Sequence, residues 1–338
     1  MDEEGVSIII PTFNSEKSIL KTLDSVLKVV MNDMEKLECI IVDDLSNDSS
    51  MEMIQDFINT KGISKNFQLH KRKSKNKGGN VCRNEGVSYS TKTHLLFLDA
   101  DDYLCSDFWK TKKDVILSKN NIDLFYYIIQ VDFKDNKSKL WNSLEDENFF
   151  LERFLLLDSP WQTSSVIWNK QYFCKSGWFN EGLIRWQEWE LYIRVLTKNP
   201  KMKKINLLKP DLIYNFGLSG SINRMGNQAR QATEKVNTIF EVIRVLKNSG
   251  EFFDNRKSMI LDLIHFNYCF IKDQSQLKQI DQKITEYKLT SLVNFKIKNW
   301  CYKHQRNPIS SIFRKFNGLT VKNEHHPVKS KLFKLEIE

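Results

Sequence analysis

Three carboxylates crowd into four residues at Asp99-Ala100-Asp101-Asp102, directly after the apolar run Leu95-Leu96-Phe97-Leu98. Carboxylates this close repel one another, and each raises the others' pKa unless a cation or a donor compensates. Hard oxygen ligands on a short turn suit Mg²⁺ or Mn²⁺, which commonly bind one or two carboxylates plus the oxygens of a substrate phosphate. The alternative is a solvated acidic turn. A second cluster, Asp43-Asp44-Leu45-Ser46-Asn47-Asp48, also ends an apolar run, Cys39-Ile40-Ile41-Val42. A third polar stretch combines cations with glycines, from Lys71 to Gly79, just before Arg83 and Asn84.

These clusters need elements to hold them. Val6–Ile10, Cys39–Val42, Phe67–His70 and Leu95–Leu98 read as buried strands, and a further strand is expected over Leu124–Val131. Helices are expected after Asn14, through Ile19, Leu23 and Leu27, near Val81–Tyr89, and over residues 106–118. Ser49-x-x-Glu52 has the form of a capping box for the helix between. Alternation of this kind predicts an α/β fold with a mainly parallel central sheet, whose site lies at the carboxyl ends of its strands. No G-x-G-x-x-G follows the first strand, so the usual dinucleotide fingerprint is missing.

Beyond Asp132 the chain becomes irregular and rich in tryptophan. A helix is expected over Trp186–Lys198, then short strands over Lys204–Leu208 and Asp211–Phe216. From Asn227 the apolar period is helical, as in Ile239, Val242, Ile243 and Leu246. The stretch 218–228, rich in Gly, Ser and Asn, is taken as a boundary. It divides a catalytic domain, residues 1–225, from a helical, basic C-terminal domain, residues 226–338.

At 338 residues the chain can build one large or two ordinary cores. Its six cysteines are scattered, with no metal-ligand spacing, and read as reduced thiols. The acidic start lacks a secretory pattern, and no apolar stretch approaches the roughly 20 residues that span a bilayer. A cytoplasmic protein is expected. Of the net +9, most sits after Tyr287, where eleven Lys and Arg face three Asp and Glu. Ile309, Ile312, Phe313 and Phe316, spaced along one helical face, add an amphipathic pattern. The expectation is peripheral attachment to an anionic membrane surface at its inner face, with no nucleic acid as partner.

Four stretches, in order, resemble the family 2 glycosyltransferases, enzymes of the GT-A nucleotide-sugar-binding fold. They are Ser7–Asn14, Ile41–Ser49, Asn76–Gly86 and Phe97–Asp102. The resemblance covers about residues 5–225 and implies inverting transfer from a nucleotide-diphosphate sugar, with a UDP-sugar expected, to a glycan or lipid-linked acceptor. It places Phe13 and Asp44 beside the nucleobase, with Pro11 shaping that loop, and puts Asn14 and Gly78 in the same binding set. Arg83 and Asn84 would lie along the nucleotide. Asp99 would contact ribose or sugar, and Asp101 would ligate Mn²⁺ or Mg²⁺ at the diphosphate.

An inverting transferase also needs a base for the acceptor hydroxyl. The matching stretch is Arg185-Trp186-Gln187-Glu188-Trp189-Glu190, where Glu188 falls at the family's usual Asp and Glu190 is the reserve. Trp186 or Trp189 is expected to line an acceptor pocket. Many relatives carry an Arg and a His after the residue matching Tyr214; neither is present, which leaves Arg224 or Arg230 as substitutes. The rival readings are a nucleotidyltransferase of similar sheet architecture and a non-catalytic adaptor working through its basic tail.

Overall fold

In the computed structural model, which describes residues 2–118, 121–133, 138–141, 149–207, 209–216 and 227–303, the first apolar run lies inside a longer strand. This is β1 (Glu3–Thr12), followed by α1 (Ile19–Val30), β2 (Leu37–Asp43), α2 (Ser50–Lys61), β3 (Phe67–Lys71), α3 (Gly79–Tyr89) and β4 (Lys92–Phe97). β1 pairs in parallel with β2 and with β4, and β2 with β3. Successive residues of β1 serve opposite layers, as strand pleating requires. Ile9 joins Ile40, Val42, Cys82 and Phe97 on one face. Ile8 and Ile10 join Ile19, Leu23, Val26 and Ile54 on the other.

After a two-residue strand β5 (Tyr103–Leu104) and a one-turn helix α4 (Lys113–Ile116), the chain forms β6 (Leu124–Tyr127), β7 (Ile129–Phe133) and β8 (Ser138–Trp141). The expected single strand over 124–131 is thus two strands that break at Ile128 and enter different sheets. Their burial explains the break. Leu124 to Tyr127 are buried on both faces, whereas β7 alternates buried Ile129 and Val131 with half-buried Gln130 and Asp132. The helix expected over 106–118 is also shorter, with turns from Ser106 to Lys112 before α4.

Next come α5 (Phe150–Leu155), a 3-10 turn (Thr163–Ser165), β9 (Val166–Asn169), α6 (Lys170–Ser176), α7 (Gln187–Leu196), β10 (Met202–Ile205) and β11 (Leu212–Phe216). The main sheet has seven strands in the order β10-β6-β9-β4-β1-β2-β3. Only β9 runs against the others, pairing antiparallel with both β4 and β6. The smaller sheet, β5-β11-β7-β8, joins β11 and β7 in parallel.

The capping box expected at Ser49 and Glu52 does not form. Asp48 accepts from Ser50 N at 3.0 Å instead, and Glu16 accepts from Ser49 N at 3.2 Å. A carboxylate one residue earlier reaches the helix start, so the serine hydroxyl is not needed there.

Four helices complete the described chain: α8 (Gln228–Asn248), α9 (Asp254–Tyr268), α10 (Gln274–Glu286) and α11 (Leu292–Lys303). Val236, Ile239, Ile243, Ile260, Ile284 and Phe295 belong to the same apolar cluster as Ile9, Phe97 and Trp168 of the sheet layer. Arg256 also reaches Glu152 of α5 at 2.6 Å. The boundary expected after residue 225 falls among residues 217–226, outside those described, as does the amphipathic pattern at Ile309 to Phe316. Among the described residues no helix is long and apolar enough to cross a membrane.

Gly86 sets how closely α3 lies on the sheet. A Cβ there would stand 2.4 Å from Ile9 Cγ2, on a strand held by neighbours on both sides. Overpacking of this kind costs about 1–3 kcal/mol, against about 1 kcal/mol gained in helix propensity. Gly86→Ala should therefore lower the urea midpoint with an unchanged m value.

Candidate active site

The acidic turn follows β4 directly. Leu98 N donates to Ile9 O at 3.0 Å, and Asp102 N donates back to Asp99 O at 3.1 Å, so the turn is closed by its own backbone. Asp102 is fully buried. Its carboxylate accepts from Asn215 N at 2.9 Å and from Ser164 Oγ at 3.4 Å. Burial holds this acid well above the usual carboxylate range, and the charges of Asp99 and Asp101 push the same way. Asn215 Nδ2 also donates to Asp101 O. β11 thus grips the turn through one asparagine.

Arg83, on α3, lies 5% exposed against this turn. Its Nη2 donates to Asp99 Oδ1 at 2.6 Å, and its Nη1 reaches Glu188 Oε1 at 3.4 Å. Burial alone would weaken its charge, but Asp99 and then Glu188 outweigh burial and hold the guanidinium protonated more firmly than usual. One cation therefore joins the acidic turn to the expected base, which lies 105 residues beyond Arg83 in sequence. Both carboxylates keep about a third of their side-chain surface open to solvent, whereas the arginine does not.

The loop leading to Arg83 is held by Asp44. One of its oxygens accepts from Gly78 N at 2.9 Å, and the other pairs with Arg72. Gly78 has φ 126°, a region that favours glycine, and a Cβ there would meet Asn80 Oδ1 at 2.8 Å. Asp44 N donates to Thr12 O at 2.8 Å, which brings this loop against Pro11 and the exposed ring of Phe13. Asn14 adopts φ 50° and ties two loops together: its N donates to Ser46 Oγ and its Oδ1 accepts from Asn47 N, both at 2.9 Å.

The Asn84 amide is engaged by the loop at residues 179–181. Its Nδ2 donates to Phe179 O and Glu181 Oε1, both at 3.0 Å, and its Oδ1 accepts from Phe179 N at 3.1 Å. The amide faces the 179–181 loop because its helix neighbour Arg83 takes the side toward Asp99. Glu190 also turns away. It is buried and paired with Arg194 at 2.7 Å, which leaves Glu188 as the carboxylate presented to the site.

Trp189 is core: it is 5% exposed and its Nε1 donates to Phe154 O at 2.5 Å. Trp186 is half-buried, with the ammonium of Lys235 at 5.2 Å from its ring centre. Arg224 lies outside the described residues, and Arg230 pairs with Glu234 at 2.9 Å. Arg72 and Asn215 were missed by sequence reasoning. Arg72 sits in a basic run in which nothing marks one cation from the next, and Asn215 directly follows Tyr214, where only the absence of an Arg and a His is visible in the sequence.

Among the described residues no three His, Cys, Asp or Glu side chains form a ready metal cage. The donors present are the hard oxygens of one acidic turn, with Asp99 shared with Arg83. That set fits a cation held by one or two carboxylates and completed by substrate oxygens.

Known proteins share this fold and, over part of the chain, this sequence. The crystal structure of Staphylococcus aureus TarS residues 1–349 in complex with UDP matches with a TM-score of 0.62 over 93% of this chain and 91% of that one, at 14% identity, a likeness of fold alone. Poly(ribitol-phosphate) beta-N-acetylglucosaminyltransferase TarP of Staphylococcus aureus is 39% identical over 99 residues, 29% of each protein. Poly(ribitol-phosphate) beta-glucosyltransferase of Bacillus spizizenii is 34% identical over 102 residues, 30% of this chain and 16% of that protein. The chain thus spans under a third of the length of either curated relative. The profile described as Glycosyl transferase family 2 matches residues 7–178, just over half of the sequence, and includes Asp44, Arg83 and the Asp99–Asp102 turn. The chain belongs to glycosyl transferase family 2.

Proposed function

We propose that the chain transfers a sugar, with inversion, from a nucleotide-diphosphate sugar to a hydroxyl of a glycan or lipid-linked acceptor in cell-surface polysaccharide synthesis. The observation that carries this reading is the buried guanidinium of Arg83, which ties the acidic turn to Glu188. Glu188 takes the proton from the acceptor hydroxyl as that oxygen attacks the anomeric carbon. The bond from this carbon to the diphosphate oxygen breaks, and the nucleoside diphosphate leaves with the bonding pair. Phe13, Pro11 and Asn14 shape the base end of the donor site, Asp44 and Gly78 hold its loop, and Asp99 faces ribose or sugar.

Asp101, with Asp99 beside it, would hold Mn²⁺ or Mg²⁺, whose chemistry is to neutralise charge on the leaving diphosphate. Uridine is the base favoured, because the structurally similar TarS was crystallised with UDP and with UDP-GlcNAc. The curated relatives named for poly(ribitol-phosphate) support a hydroxyl-rich polymer as acceptor. The cationic tail after Tyr287 favours an anionic membrane surface at the cytoplasmic face, an argument from charge alone.

The test is thermal unfolding with UDP or GDP, in Mn²⁺, Mg²⁺ or EDTA, for wild type and Asp101→Ala. A ligand a hundredfold above its Kd adds about 2.7 kcal/mol to the native state. UDP with metal should raise the wild-type Tm, and the rise should vanish in EDTA and in Asp101→Ala. No shift with any nucleotide would reject the donor site.

A further inference from the structure

Helix α7, which carries Glu188, starts without the usual device. Its first residue follows Trp186, whose side chain offers no cap and whose backbone has φ 56°. A bulky residue in the left-handed region costs on the order of 1–3 kcal/mol and persists only where its surroundings over-determine it. Those surroundings are helix α8. Glu234 Oε2 accepts from Arg185 Nε at 2.9 Å, in a pair with side chains 11% and 5% exposed. Thr238 Oγ1 donates to Arg185 O at 2.7 Å, fully buried. Lys235 stands over the Trp186 ring. Glu234, Lys235 and Thr238 occupy positions i, i+1 and i+4, which places them together on one side of α8. From the other side, Gln187 Nε2 donates to Leu183 O at 3.0 Å and to Ile184 O at 3.1 Å.

We propose that α8 is the positioning element for the base: by gripping Arg185 and Trp186, Glu234, Lys235 and Thr238 set where Glu188 stands relative to Arg83. The inference rests on Glu188 as base and extends it, since it gives the C-terminal helices a part in turnover. No residue of α8 need touch substrate for this. The 3.4 Å between Arg83 and Glu188 leaves little slack, and a displacement near 1 Å at a reacting group costs up to about a hundredfold in rate.

The experiment uses the full chain and measures UDP release from UDP-glucose and UDP-N-acetylglucosamine with Mn²⁺, alongside UDP affinity. The variants are Thr238→Val, Thr238→Ser, Glu234→Gln and Glu188→Gln, at a temperature where all are folded. Thr238→Val removes the hydroxyl at constant shape and should lower kcat by about tenfold to a hundredfold, with KM and UDP affinity within about twofold of wild type. Glu234→Gln should follow it, and Thr238→Ser, which restores the hydroxyl, should recover most of the rate. Amide exchange over residues 185–190 should rise in Thr238→Val, with that of 79–89 unchanged. Wild-type kcat in Thr238→Val and Glu234→Gln, with Glu188→Gln inactive, overturns the positioning role alone. So does a fall in UDP affinity that matches the fall in kcat. Full activity in Glu188→Gln overturns the base and the positioning role together.

Discussion

Glu188→Gln is expected to cut turnover by about 10²- to 10⁴-fold, the range for loss of a general base, while UDP affinity stays near that of wild type. Glutamine keeps the length of the side chain and an oxygen for Arg83 to reach, and Arg83 retains Asp99 at 2.6 Å, so no buried cation is orphaned. The loss should therefore fall on kcat rather than on folding. Glu190→Gln is the control from the same helix. That carboxylate is bonded to Arg194 through both oxygens, at 2.7 and 3.0 Å, so its change should lower Tm and leave kcat per folded molecule in place. UDP release under saturating donor, measured for both variants, separates the two. Wild-type kcat in Glu188→Gln would remove the base from the proposed reaction.

The largest expected loss of stability lies away from the site, at Asp211. Lys112 is fully buried with its ammonium on Asp211 and on the faces of Phe108 and Tyr127, at 4.2 and 4.3 Å. Asp211→Ala would leave that ammonium in an apolar surround, a change that costs about 3–5 kcal/mol. The double change Lys112→Met with Asp211→Asn should recover most of the loss, because neither charge is then stranded. Burial lowers the Lys112 pKa from 10.5 to about 8 in spite of Asp211. The folded state thus gives up this proton before the unfolded state does. Between about pH 8 and 10.5 the unfolded chain binds more protons, and this group's contribution to stability rises with pH. Urea midpoints at pH 7, 8.5 and 10 should show wild type gaining relative to Lys112→Met; a parallel course for the two proteins would reject the assignment.

What could be read from sequence was whatever local pattern alone determines. The strands of the parallel core declare themselves because residues such as Ile8, Ile9 and Ile10 are buried on both faces, and no later contact changes that. The acidic turn was legible for a similar reason, since crowded carboxylates at a strand end need compensation. The compensating groups were less visible. That Arg83 faces Asp99 depends on the close seat that Gly86 gives α3, and that Asn84 does not depends on the 179–181 loop, far off in sequence. The break at Ile128 was present as the polar alternation of Gln130 and Asp132, but an apolar run conceals the change from a two-sided to a one-sided strand. The expected capping box that does not form shows competition: Asp48 and Ser49 are both able to cap, and the tertiary partner Glu16 helps decide between them.

The one reversed strand has a consequence for how this chain is made. β9 sits between β4 and β6, yet it leaves the ribosome after both. Until Val166–Asn169 has been synthesised, the nascent chain carries the parallel half-sheet β4-β1-β2-β3 and a lone β6, whose other neighbour β10 comes later still, each with an open row of N–H and C=O groups where β9 will lie. Domains fold from the N-terminus during synthesis, and unpaired strand edges are where incomplete chains associate with one another. A chain cut before residue 166 is therefore a poorer candidate for expression than its length implies, because it stops before the strand that closes its own sheet.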